Sequence, residues 1–286
     1  MTSSGEGGLK TEVSFSFTTV RFSSKPKLFI LNFTTFFPPL FWLEFCSTTS
    51  MPSLPRYAVL SNRSTFHITW QCHNHSWLLR SDAAKKLYYK LLLKYKDRYR
   101  VKFYSYCFMS NHPHLTGYCE DKKLLSDLFR IVNSLFARIF NKRTKRRGQV
   151  VMDRFKSPVI QTDFDHLQVM FYIDLNPKRA GMVRHPKDYD WSSFHYYAYG
   201  KEDPLITPAP SYLNLGDTPR LRRKNYLLMV SEILKGDWKE KRPYSSVPFI
   251  GNPDWVIGRM EQLRTFLSLQ RKSWKTRFLE RFGRAS

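Results

Sequence analysis

The sequence predicts an α+β domain, an antiparallel sheet laid out as a split β-α-β unit with helices on one face. Three features lead to this fold class. Runs rich in strand formers occur at 66–72, 101–109 and 114–119. Long stretches with apolar residues at helical spacing separate them. The element order strand–helix–strand–strand–helix–strand, followed by one more helix, gives each of the first two helices a crossover role.

The elements follow in chain order. FHITWQC (66–72) alternates as a strand does. Ser81 and Asp82 offer an N-cap to a helix on which Leu87, Leu91 and Tyr95 share a face. VKFYSYCFM (101–109) and HLTGYC (114–119) read as an antiparallel pair joined through the Asn111-His112-Pro113 turn. A second helix follows in DKKLLSDLFRIVNSLFARIFNK, with Leu125, Leu128, Ile131, Val132, Leu135 and Ile139 as its apolar side. KRTKRRG (142–148) reads as a basic loop and KSPVIQT (156–162) as a fourth strand. Thr162 and Asp163 cap a helix over 164–176 with Leu167, Met170, Phe171 and Leu175 inward. Asn176 precedes Pro177, which places it at the helix C-terminal boundary.

These elements define a domain over 51–200. Residues 201–286 become Pro-punctuated and basic, with a short helix at 226–238, and read as a partly helical C-terminal extension. Residues 1–50 are Ser/Thr/Phe-rich without sustained periodicity, and we expect a poorly ordered or mis-assigned extension with Met51 as the natural start. The apolar stretch 28–45 raises the question of a membrane, but Pro38-Pro39 and Glu44 interrupt any clean spanning helix.

The charge narrows the function. Lys and Arg number 47 against 23 Asp and Glu, a formal +24 over 286 residues, which predicts attraction to a polyanion. A composition 42% hydrophobic and 16% aromatic excludes global disorder. Cys46, Cys72, Cys107 and Cys119 form no Cys-x-x-Cys pair, so reduced thiols in a cytoplasm are the simplest reading. No Gly-rich phosphate loop of the G-x-x-x-x-G-K-[ST] type is present, and no nucleotide cofactor is expected.

Two motifs carry chemistry. If 112–118 is extended, His112 and His114 project from one face and can meet one divalent cation. Taken alone, the pair reads better as surface histidines by a turn, because a metal site needs a further ligand. Gln168, Tyr172 and Asn176 lie four apart on the third helix and form a polar stripe. Tyr172 offers a phenol and Asn176 an amide oxygen, while Gln168 serves equally as an auxiliary residue or as plain polar face. His67 reads as a satisfied sheet histidine, and Cys72-His73-Asn74-His75 as chance, since no second cluster matches it.

The stretches FYSYCFMSNHPHL (103–115) and FYIDLNPKRAGMV (171–183) together resemble the motifs of the single-tyrosine HUH transposases, IS200-like proteins, and in particular the REP-associated tyrosine transposases. FHITWQCHN (66–74), RFKSPVIQTD (154–163) and YDWSSFHYYAYG (189–200) extend the resemblance over roughly 55–200. It implies a ferredoxin-like fold with the catalytic tyrosine on a following helix. It further implies Tyr172 as nucleophile, and His112, His114 and Asn176 as ligands of Mg²⁺ or Mn²⁺. Two imidazoles and an amide would by preference suit Zn²⁺ or Mn²⁺ better than Mg²⁺. Open coordination for phosphate oxygens and the resemblance favour Mg²⁺ or Mn²⁺.

The expected activity is cleavage and rejoining of single-stranded or hairpin DNA, such as folded palindromic repeats, through a covalent 5′-phosphotyrosine. The expected location is the cytoplasm, at the nucleoid, with the protein a monomer or homodimer. Arg138, Lys142, Arg143, Lys145, Arg146 and Arg147 form a basic cluster for the DNA backbone, and Arg154, Lys156, Lys178 and Arg179 flank the site. The competing readings are a non-catalytic DNA- or RNA-binding regulator on the same fold and, more weakly, a membrane-associated protein.

Overall fold

The computed structural model describes residues 56–236 and 244–282, with side chains from 58 to 236 and from 244 to 273. The expectations for 1–50, Met51, Cys46 and the apolar stretch 28–45 lie outside these residues. Among the described residues no helix is long and apolar enough to cross a membrane.

Strand β1 (Ser64–Thr69) is the hub of the sheet. It pairs antiparallel with β3 (Pro113–Cys119) on one side and with β4 (Val159–Ile160) on the other. β2 (Val101–Phe108) pairs antiparallel with β3. The order β2-β3-β1-β4 is that of the split β-α-β arrangement, so the expected ferredoxin-like core is present. A fifth strand, β5 (Phe249–Ile250), adds to β4 in parallel, which makes the sheet mixed rather than wholly antiparallel. A two-residue strand is too short to leave an alternation in the sequence.

The crossover helices α1 (Asp82–Tyr95) and α2 (Lys122–Thr144) lie on one face of the sheet. Aromatic contacts seal that layer: Phe103 meets Phe66 at 6.5 Å and Phe129 at 6.3 Å, and Tyr88 meets Phe108 at 5.6 Å and Phe136 at 5.3 Å. The buried stripe of α2 is Leu125, Leu128, Phe129, Val132, Phe136 and Phe140. Of the expected residues, Ile131, Leu135 and Ile139 are only half-buried. The phenylalanines rotate the helix because their rings fill the space against the strand aromatics. Lys142 and Arg143 lie in the last turn of α2 rather than in a loop, and Lys145 closes it at φ 53°.

Helix α3 (Asp163–Arg179) covers the opposite face. The two crossover helices share one face as expected, and the following helix takes the other, where β3 is buried as well. A bulge between Phe103 and Ser105 turns Tyr104 and Ser105 toward the same side of β2. Ser105 Oγ then meets Thr116 Oγ1 at 2.7 Å, Thr116 meets His166 Nε2 at 3.1 Å, and His166 Nδ1 reaches Ser211 Oγ at 2.8 Å. This polar string fastens α3 to the sheet.

A capping box between Thr162 and Asp165 starts α3, and the helix continues through Pro177 to Arg179, beyond the boundary expected at 176. Proline removes one N–H in the last turn, where the ladder is ending in any case. The turn closes with Ala180 N donating to Asn176 O at 2.9 Å and Met182 N to Pro177 O at 2.9 Å. From behind, the buried Asp174 carboxyl accepts from the Ser193 hydroxyl at 3.0 Å and from the Tyr226 hydroxyl. Tyr226 belongs to α4 (Pro219–Lys235), which begins before the expected 226 because Thr218 caps it, while the expected last residues 237 and 238 lie outside the described ones. A long final helix, α5 (Pro253–Phe282), contains most of the basic C-terminal run.

Gly117 in β3 has no room for a side chain. A Cβ there would lie 2.1 Å from Lys102 O and 2.9 Å from Phe66 Cζ. We expect Gly117→Ala to lower unfolding stability by about 1–3 kcal/mol, the usual cost of overpacking. An unchanged urea midpoint would contradict this packing.

Candidate active site

The β1–β3 register sets His67 opposite Thr116 and Thr69 opposite His114, so all four side chains point toward α3. His112 precedes the strand and folds back through Pro113. Its ring meets that of His114 nearly at right angles, at 4.7 Å and 80°. The two Nε2 atoms lie 3.0 Å apart.

Each imidazole is held by its other nitrogen. His112 Nδ1 lies 2.6 Å from Asn111 Oδ1. Asn111 is itself held: its carbonyl accepts from Cys72 N at 2.8 Å and Gln71 Nε2 at 3.1 Å, and its amide donates to His75 O at 3.5 Å. The Cys72–His75 run thus supports a site residue. On the other side, His114 Nδ1 lies 3.0 Å from His67 Nε2, with the two rings stacked at 5.2 Å. His67 Nδ1 reaches the carbonyl of Tyr244 at 3.1 Å. Burial pushes His67 and His112 down to about 4, and His114 well below its ordinary value. His112, His67 and Arg179 add repulsion at His114. All three rings are therefore neutral at physiological pH.

Tyr172 stands over this pair. Its ring lies 5.7 Å from His114, 6.4 Å from His67 and 5.2 Å from Tyr244. Arg179, two turns on, bends back to place its guanidinium 4.8 Å from the Tyr172 ring and to donate to Tyr172 O at 2.8 Å. Burial raises the phenol pKa, while the Arg179 charge opposes the rise. The Ser245 hydroxyl beside the phenol also favours its ionised form, yet makes no geometrically complete hydrogen bond.

Asn176 lies one turn beyond Tyr172 on the same side of α3. It is buried, and its Nδ2 position has no hydrogen-bond partner. Amide oxygen and nitrogen are interchanged by a half-turn, so the same position can present an oxygen lone pair. Gln168 and Tyr172 are half-buried, so the expected polar stripe is not a solvated face.

These residues fit a divalent cation. Two ligands at about 2.1 Å and a right angle stand about 3.0 Å apart, which is the observed Nε2 separation. Among the described residues no group of three or more His, Cys, Asp or Glu side chains is arranged to hold a metal. A third protein ligand must come from another residue type, and the unpartnered Asn176 amide is of that kind.

The basic residues divide by exposure. Arg138, Lys142, Arg143, Lys145 and Arg147 are exposed on α2 and just after it, whereas Arg146 is half-buried and reaches Asn141 Oδ1 at 3.3 Å. Arg154 and Lys156 are exposed and line a cleft with Arg130 and Asn133 that is closed on one side by Ser245 and Val247. Lys178 donates to Arg184 O at 2.6 Å, and Arg179 is drawn to Tyr172. Of the aromatics in 189–199, Tyr189, Phe194 and Tyr197 are core, whereas Tyr199 is 49% exposed. No motif in the sequence marks Tyr244 or Ser245. Tyr244 contributes a main-chain carbonyl, which no side-chain pattern signals.

Residues 61–176 match the family model described as Transposase IS200 like. That segment, which holds every proposed ligand and the tyrosine, is similar to the IS200-like transposases. Five chains of known structure also match. One is a REP-associated tyrosine transposase bound to a REP hairpin, 20% identical, covering 55% of this chain and 92% of its own, with a TM-score of 0.44. No curated protein matches.

His166 gives a pH prediction independent of the proposed ligands. Burial lowers its pKa from 6.5 to about 3. The folded state therefore binds fewer protons than the unfolded one between these values, and stability is lost as pH falls through that window. The contribution is up to about 1.4 kcal/mol per pH unit. His166→Gln should show an acid-side stability slope shallower by that amount. Equal slopes in urea unfolding from pH 6.5 downward would contradict it.

Proposed function

We propose that this protein is a DNA strand-transferase and endonuclease that uses Tyr172 as its nucleophile. One observation carries the reading: two neutral imidazoles converge their Nε2 atoms to 3.0 Å directly beneath the ring of a helix-borne tyrosine. The phenolic oxygen of Tyr172 attacks the scissile phosphorus, the bond to the 3′ oxygen breaks, and a 5′-phosphotyrosine forms. The departing 3′-OH, or another brought in its place, attacks back and rejoins the strand.

A divalent cation, Mg²⁺ or Mn²⁺, held by His112, His114 and Asn176, would polarise the phosphate and offset its developing charge. The rest is done by the chain. Arg179 lowers the cost of ionising the phenol, whose ordinary pKa is near 10, and its guanidinium would pair with a phosphate oxygen. The polar string under His166 and the Asp174 clasp hold α3 at fixed height above the histidines. The exposed cations of α2, with Arg154 and Lys156, suit a DNA backbone, and Gln168 borders the tyrosine as an auxiliary group. Single-stranded or hairpin DNA is favoured because a half-buried phenol can be reached only by a bent, accessible backbone.

The test is incubation with labelled hairpin or single-stranded DNA and Mn²⁺, read on a denaturing gel. Wild type should give a covalent adduct, and Tyr172→Phe should reduce it by at least about 10³-fold while still binding DNA. His114→Ala should lose the Mn²⁺-dependent cutting. Wild-type protein that binds the DNA and yields no adduct would instead establish a binding-only regulator.

A further inference from the structure

The sequence alone makes His67 a histidine satisfied inside the sheet; its environment gives it more to do. It is fully buried, on the strand next to His114. Its Nδ1 faces the Tyr244 carbonyl at 3.1 Å and its Nε2 faces His114 Nδ1 at 3.0 Å. A carbonyl can only accept, so the proton of a neutral His67 must sit on Nδ1. Nε2 is then an acceptor, and His114 Nδ1 must donate to it. The proton of His114 is thereby committed to Nδ1, and its Nε2 is left as a bare lone pair. Asn111 Oδ1 imposes the same state on His112.

We propose that His67 is a positioning residue which, oriented by the Tyr244 carbonyl, fixes His114 in the Nδ1–H tautomer with Nε2 aimed at the cation. Its consequence for metal binding rests on the function proposed above, whereas the tautomer itself does not. Tyr244 lies outside the matched segment 61–176, so the C-terminal part of the chain reaches the ligand set through the backbone. An outer partner that fixes a ligand's tautomer and ring orientation raises metal affinity by 10- to 100-fold in known sites.

The experiment has two readouts on the full chain. Long-range ¹H–¹⁵N correlation on metal-free protein at neutral pH should show both His67 and His114 protonated at Nδ1. Calorimetric titration with Mn²⁺ should show His67→Leu weakened by about 10- to 100-fold at an unchanged circular dichroism spectrum. His67→Gln, whose amide can both donate to the carbonyl and accept from His114, should restore binding close to wild type. Three results would overturn the proposal: a proton on Nε2 of His114 in wild type, a folded Leu variant that binds Mn²⁺ as wild type does, or a Gln variant as weak as Leu. Should the Leu variant fail to fold, the wild-type spectrum and the Gln variant still decide. Wild type with both Nδ1–H tautomers and no affinity for Mn²⁺ would overturn the metal reading while leaving the tautomer assignment standing.

Discussion

A neutral imidazole has one proton to place, and in this protein the surroundings leave little choice about where it goes. His112 and His114 are drawn into a buried layer between the sheet and α3, where burial keeps them uncharged. Their Nδ1 atoms are taken by Asn111 and His67, so their Nε2 atoms face each other at 3.0 Å. Two lone pairs that close repel unless a cation lies on their common side. The remaining features of the core serve this arrangement. The β1–β3 register puts His67 beside His114, the 71–75 loop holds Asn111, and α3 lays Tyr172 across the top.

The proposed nucleophile needs a fixed height as much as the proposed ligands need a fixed orientation. A shift of an ångström at the phenol would spoil an in-line attack. α3 is tied at two points. His166 bonds Thr116 of β3, and Asp174 accepts from Tyr226 of α4 and from Ser193, which is itself bonded to the Tyr106 backbone of β2. Burial raises the Asp174 carboxyl to about 7 even so. That places a marginally ionised group where its hydrogen bonds, rather than its charge, hold the helix. Loss of one partner of such a buried group costs about 1–3 kcal/mol, enough to loosen the helix that carries Tyr172.

Much of this was legible in the sequence because long periodic elements and capping residues speak locally. The helices beginning at Asp82, Lys122 and Asp163 were readable from Ser81, from the leucine spacing and from Thr162. The histidine and tyrosine motifs could be paired only through their joint resemblance to a family, since each alone fits an ordinary surface. What could not be read depends on long-range or main-chain contacts. β5 is two residues long, and the Tyr244 carbonyl would be there whatever residue stood at 244. Pro177 suggested a stop at 176, yet a proline in the final turn removes only a bond that was ending. The face of α2 turned toward its phenylalanines because ring size, which periodicity ignores, decided the packing.

The claim that organises the site is that His112 and His114, and not His67, present bare nitrogens to one cation. Electron spin-echo spectroscopy of Mn²⁺ bound to ¹⁵N-histidine-labelled protein counts those nitrogens directly. Two strongly coupled imidazole nitrogens, both lost in the His112→Ala/His114→Ala double variant and both kept in Tyr172→Phe, are the expected result. Bound Mn²⁺ with no imidazole coupling, or with a third coupled nitrogen that disappears in a His67 variant, would contradict the account.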